Sequence, residues 1–137
     1  MDNIINMIIL YATLYGVDPA VALSVADLES NMNPKAVGAL GEVGLYQLRP
    51  EFFKTVKRKR LFNPETNIKL GIKHLAKSSR ECKHKKDYTY VVCYNMGVAG
   101  AERVKYPKKF RYYKLIHKRY GKWVDQYRVL KNLELEP

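Results

Sequence analysis

The run Asp18-Pro19-Ala20-Val21-Ala22-Leu23-Ser24-Val25-Ala26-Asp27-Leu28-Glu29-Ser30 opens with a helix cap, an aspartate followed by proline at the first helical position. Proline is tolerated there because its missing N–H has no intrahelical partner anyway. Val21, Leu23, Val25 and Leu28 then build an apolar helix, which must end before Asn33-Pro34 because a residue preceding proline is pushed out of the α region. That helix is nearly apolar until Asp27 and Glu29. A carboxylate at the end of an apolar helix suffers both desolvation and the negative end of the helix dipole, and both raise its pKa.

The segments on either side also read as helix. Upstream, Ile4 to Tyr15 is an apolar stretch interrupted by Asn6 and Thr13, too short to span a bilayer and suited to a buried amphipathic helix. It is preceded by Asp2 rather than a basic region and has no small-x-small cleavage site, so a leaderless, soluble chain is expected. Downstream, residues 35 to 48 place Gly38, Gly41 and Gly44 among small apolar residues, the pattern of a loop or weak hairpin. Asn63-Pro64-Glu65 repeats the capped start, with Ile68, Ile72, Leu75 and Ala76 at helical spacing and Gly71 permitting a close neighbour. Asp87 is expected to cap a third helix through Val91, Val92 and Cys93, broken by Gly97 and Gly100. Pro107 opens a last segment striped by Phe110, Tyr113, Ile116 and Tyr120. With no repeat, linker or sustained strand pattern, the fold class is mainly α, with at most a small β-hairpin, in one domain over residues 1–137.

Composition agrees with one ordinary core. A chain of 137 residues that is 47% hydrophobic can bury roughly two thirds of its unfolded surface. The charge is less ordinary, at +12, and it is polarised. Residues 1 to 53 carry two basic and six acidic side chains, whereas residues 54 to 131 carry 23 basic and five acidic. A basic face from the second half would suit an anionic polymer or surface, or, as an alternative, a nucleic acid. The rival reading is a set of solvated lysines, for example Lys57 to Arg60. Cys82 sits in a charged stretch and Cys93 in an apolar one, with no C-x-x-C, so free thiols are expected.

Several chemistries lose support. There is no P-loop, G-x-G-x-x-G or G-x-S-x-G. His74, Cys82, His84 and Cys93 match no common zinc spacing, so no metal and no cofactor are expected. Glu29 stands out, because a carboxylic acid kept protonated near neutral pH is what a general acid needs. Ser30, Gln47, Tyr94 and Asn95 are polar groups that could serve it, or could simply make turns and caps.

Four linked motifs carry a family resemblance: Glu29-Ser30 with Asn33-Pro34, Gly44-Leu45-Tyr46-Gln47 with Pro50, Asn63-Pro64-Glu65 with Asn67, Ile68 and Gly71, and Tyr94-Asn95 with Gly97. In order and approximate spacing they resemble the soluble lytic transglycosylases of glycoside hydrolase family 23, from about residue 11 to residue 120. The resemblance implies a lysozyme-like, two-lobed helical fold with a cleft, acting as a monomer on the glycan strands of peptidoglycan. It implies Glu29 as the single catalytic acid, with Ser30, Tyr46, Gln47, Tyr94, Asn95 and Tyr112 binding substrate. Tyr46 replaces the family's methionine, and Cys93 its alanine. A family tyrosine on the C-terminal helix points at the acid; Tyr112 fits it by its spacing to Ile116 and Tyr120, with Tyr113 second.

The implied reaction breaks the bond from N-acetylmuramic acid to N-acetylglucosamine and closes a 1,6-anhydro ring, without consuming water. Glu42, two residues before Gly44, departs from the family's small residue. It is expected to be a surface charge; in the cleft it could activate water, giving a hydrolase similar to goose-type lysozymes. The expected absence of a leader fits a bacteriophage lysin or virion-associated enzyme that reaches the cell wall by another route.

Overall fold

The computed structural model describes residues 2–135. Its elements are helices joined by turns: α1 (Asp2–Tyr15), α2 (Pro19–Ser30), α3 (Arg58–Leu61), α4 (Pro64–Glu81), α5 (Val91–Met96), α6 (Val98–Ala101) and α7 (Arg111–Leu135). Two short 3-10 turns, Pro50–Phe52 and Pro107–Lys109, precede α3 and α7. The mainly helical fold expected from the sequence is the observed one. Residues 35 to 48 form no named strand among the described residues, only antiparallel bridges from Val43 to Val37 and to Leu48.

Helix α2 is the axis of the core, and Ala20 through Ala26 are all buried. Asp18 Oδ1 accepts from the Ala20 N–H at 2.8 Å, and Asn31, at φ 53°, ends the helix with its N–H on the Asp27 carbonyl. Each large side chain buried here, such as Leu23 or Val25, stabilises the fold by about 1.5–3 kcal/mol. α1 lies on α2 and α4 through Ile8 and Ala12, leaving Leu10 and Leu14 outward.

Helix α7 crosses α2 and is fastened to it by three side-chain ties. Tyr120 Oη donates to Asp18 Oδ2 at 2.6 Å, and Trp123 Nε1 and Lys122 Nζ donate to Asp27 Oδ2 at 2.9 and 3.0 Å. Ile116 and Tyr113 fill the space between the helices. Tyr88 stacks on Tyr120 with ring centroids 4.4 Å apart, which draws the loop before α5 onto α7.

The loop carrying Tyr46 is held from α4. Asn67 Oδ1 accepts from the Tyr46 N–H at 2.8 Å, while its Nδ2 donates to Val43 O at 2.8 Å and Leu61 O at 2.9 Å. Gly71 sits under the Tyr46 ring, where an added Cβ would lie 2.4 Å from Cγ. The close approach anticipated at Gly71 is therefore made by Tyr46.

Two sequence expectations fail. Cys82 and Cys93 are not free thiols but a disulfide with Cα atoms 5.9 Å apart. The folded turn returns residue 82 to α5, a proximity that the ten intervening positions of mixed character do not announce. Asp87 does not cap α5: the helix begins at Val91 after Tyr90, and Asp87, at φ 52°, turns its carboxylate to Lys108 at 2.6 Å. Lys108, from the distant Pro107–Lys109 turn, outcompetes the local N–H groups because a charge-assisted bond is the stronger one. No described helix is long and apolar enough to cross a membrane.

Candidate active site

A cleft of about 510 Å³ opens at the C-terminal end of α2. Glu29 reaches it from the last turn of α2, Glu42 and Gln47 from the bridged loop, His74 from α4, and Tyr94 and Asn95 from α5. Tyr46, Leu48, Arg49, Phe52 and Phe53 complete its lining, with Phe52 70% exposed and the Arg49 guanidinium 5.3 Å from its ring centroid.

Glu29 is half-buried, and its Oε2 accepts a hydrogen bond of 2.8 Å from Tyr112 Oη. Desolvation raises its pKa above the ordinary carboxylate value, the Tyr112 bond opposes that by stabilising the anion, and the negative charge of Glu42 adds to the rise. The group thus holds a proton readily but keeps a partner for the ionised form. Tyr112 itself is buried and its hydroxyl pushed well above the usual range, first by burial and then by Glu29, so it acts as a neutral donor. Of the two tyrosines that sequence spacing left open, Tyr112 meets Glu29, while Tyr113 packs against Tyr88 at 5.3 Å.

The other sequence-derived positions take different places. Gln47 lines the cleft with its Nε2 donating to Gly44 O at 2.9 Å and Ala36 O at 3.2 Å. Its Oε1 and the Glu42 Oε1 both crowd the position a Cβ of residue 38 would take, each 2.6 Å from it, so glycine at 38 makes room for two cleft oxygens. Tyr94 is buried in the wall, with the His74 ring 5.0 Å away and Tyr112 at 6.5 Å. Asn95 is exposed at the cleft edge. Tyr46 is only 1% exposed but forms part of the cleft wall, and its Oη donates to Ala22 O at 2.8 Å, which braces α2. Ser30 Oγ turns back onto Ala26 O at 3.0 Å.

Glu42, expected at the surface, instead lines the cleft half-buried, with Oε1 accepting from the Leu40 N–H at 2.7 Å. That local bond folds the carboxylate back over its own turn and aims it inward. Leu48, Arg49, Phe52, Phe53 and His74 line the cleft without having been expected there. Phe52 and Phe53 could have been suspected as aromatics directly following the Gly44-to-Pro50 motif; His74 lies on a polar helix face that carries no such signal. Among the described residues no cluster of three or more His, Cys, Asp or Glu could hold a metal ion.

A carboxyl group facing an open groove, hydrogen-bonded by a buried tyrosine on a helical scaffold, is an arrangement suited to protonating a glycosidic oxygen. The family model described as the transglycosylase SLT domain matches residues 6–117. The chain belongs to this family, whose members are peptidoglycan lytic transglycosylases.

Proposed function

We propose that the cleft cleaves peptidoglycan glycan strands by intramolecular transglycosylation, with Glu29 as both acid and base. The observation that carries this reading is the 2.8 Å bond from Tyr112 Oη to a half-buried Glu29 Oε2. It leaves Oε1 to carry the proton and stabilises the carboxylate once that proton has left. In the first step the Glu29 proton passes to the oxygen linking N-acetylmuramic acid to N-acetylglucosamine, and the C1–O bond breaks with its electron pair going to that oxygen. The acetamido oxygen of the same sugar closes on C1 and holds the positive charge. In the second step the Glu29 carboxylate takes the proton of the C6 hydroxyl, whose oxygen attacks C1 as the acetamido oxygen departs. Glu29 ends protonated, and no water is consumed.

Proximity favours this route, since a tethered hydroxyl can have an effective concentration far above that of a free reactant. Asn95 and Gln47 offer polar contacts to the sugars, Ser30, beside Glu29 with its hydroxyl on Ala26 O, would reach a sugar only by releasing that bond, and Tyr46 and Tyr94 shape the wall against which the reacting ring rests. The basic second half of the chain holds the domain to an anionic wall surface. The domain acts as a single catalytic unit, a reading supported by one continuous core from α1 to α7, and works as a monomer.

The position of Glu42 favours a second reading. A carboxylate in the same cleft could activate water, and the product would then be a reducing muramic acid. Mass analysis of muropeptides separates the two: transglycosylation gives 1,6-anhydro ends about 18 Da lighter, the mass of one water. Reducing ends as the main product, lost in Glu42→Gln, would replace the first reading by the second.

A further inference from the structure

A second cavity, of about 460 Å³, lies between residues 83–89 and residues 105–109 and shares no lining residue with the cleft. Six lysines line it, Lys83, Lys85, Lys86, Lys105, Lys108 and Lys109, with no acidic side chain and no arginine among its lining residues. We propose that this groove docks a phosphodiester polymer of polyols, of the poly(glycerol phosphate) kind, and so anchors the domain while the cleft stays open.

The charge is incompletely neutralised from within. Lys108 meets Asp87 at 2.6 Å, Lys83 lies 3.9 Å from Glu102, and Lys85 donates to the carbonyls of Ser79 and Arg80 at the end of α4. Lys86, Lys105 and Lys109 are exposed and have no carboxylate within ion-pair distance among the described residues. Three like charges converging on one concavity repel one another, and an anion bound there relieves that repulsion.

The groove is also built rather than incidental. The Cys82–Cys93 disulfide ties its first strand of chain to α5, Thr89 Oγ1 donates to Lys86 O at 2.7 Å, and a 3.1 Å bond joins His84 Nε2 to Ala101 O. Lys108 and Asp87 clamp its two sides together.

The lysines point to phosphate. An ammonium is a compact point charge that accepts a tetrahedral anion from any direction, and lysine serves phosphate in this way without the bidentate fork that arginine offers to carboxylate and phosphate alike. The aromatic content points away from nucleic acid. Tyr106 is the aromatic ring of the groove, and its ring already carries the ammonium groups of Lys105 at 5.6 Å and Lys109 at 4.9 Å. A base stacking on this exposed ring would have to displace those ammonium groups, which a polyol phosphate need not do. Because the two cavities are separate, binding here raises the effective concentration of any glycan attached to the same surface.

The test is binding of synthetic poly(glycerol phosphate) to the full chain across a salt series. It is compared between the parent, the triple variant Lys86→Gln/Lys105→Gln/Lys109→Gln, and the equally discharged Lys57→Gln/Lys59→Gln/Arg60→Gln. Each lost phosphate contact lowers the slope of log K against log salt by about 0.7, so the groove triple should lose about 2 in slope and weaken at least about tenfold near 0.15 M salt. The control triple should stay within about twofold, and cleavage of a short uncharged glycan should be unchanged in both. If the groove triple fails to fold, Lys86→Gln alone should still lower the slope by about 0.7. Equal weakening in the two triples would overturn the groove as a site. Tighter binding of an oligonucleotide or of polyglutamate at matched charge would overturn the proposed occupant.

Discussion

Tyr112 Oη and Glu29 Oε2 lie 2.8 Å apart across a sequence separation of 83 residues, so the state of the carboxyl group in α2 depends on how α7 is seated. Removing that hydroxyl takes away the one contact opposing the upward shift of the Glu29 pKa. Tyr112→Phe should move the alkaline limb of the activity profile to higher pH and lower kcat about tenfold to hundredfold, the loss of a hydrogen bond to a charged group being about 1.5–3 kcal/mol. A pH series of kcat checks both. An unmoved limb would mean that Tyr112 has only a packing role.

Glu29→Gln should abolish cleavage while keeping the fold. The folded pKa of Glu29 is raised by desolvation first, so its stabilising contribution is complete below the unfolded value of about 4.3 and is lost as pH rises through the folded value. The amide has no such loss, so at pH 7 the variant should melt at or above the parent temperature, and the two should converge at acid pH. Thermal melts at pH 4 and pH 7 test this; a variant melting well below the parent at pH 7 would contradict a strained acid.

Glu42→Gln acts with the opposite sign to Tyr112→Phe. Glu42 raises the Glu29 pKa through its charge, so the amide should move the alkaline limb to lower pH. The 1,6-anhydro product should be retained. Product mass and the pH profile, measured on one preparation, separate an electrostatic neighbour from a base that activates water.

The Cys82–Cys93 bridge closes a short loop that forms one side of the basic groove. Cys82→Ser/Cys93→Ser should destabilise the domain by about 2–3 kcal/mol through the freed entropy of the unfolded chain. The parent melting temperature should fall toward that of the variant when reductant is added. A melting curve indifferent to reductant would show that the bridge contributes nothing in solution.

Local signals in the sequence were enough for α1, α2, α4 and α7, but not for the short α3 or for α6, which contains the Gly100 expected to break a helix. The caps at Asp18 and Asn63 each accept from a backbone N–H at the start of their helix, and proline follows both, so α2 and α4 begin where short-range chemistry put them. The apolar run from Ala20 to Ala26 dictated a central helix with Glu29 at its end, and the linked motifs located the family. What the sequence could not determine depends on contacts between distant segments. Glu42 turns inward because a neighbouring N–H holds it over a cleft that other elements define, and Tyr112 rather than Tyr113 meets Glu29 because Asp18 and Asp27 fix how α7 lies on α2. Cys82 meets Cys93, and Asp87 leaves its expected cap for Lys108, because the folded chain brings stronger partners than the adjacent residues provide. Capping and periodicity act within a few residues and can be read from spacing, whereas pairing across the fold is decided by which surfaces the core brings together.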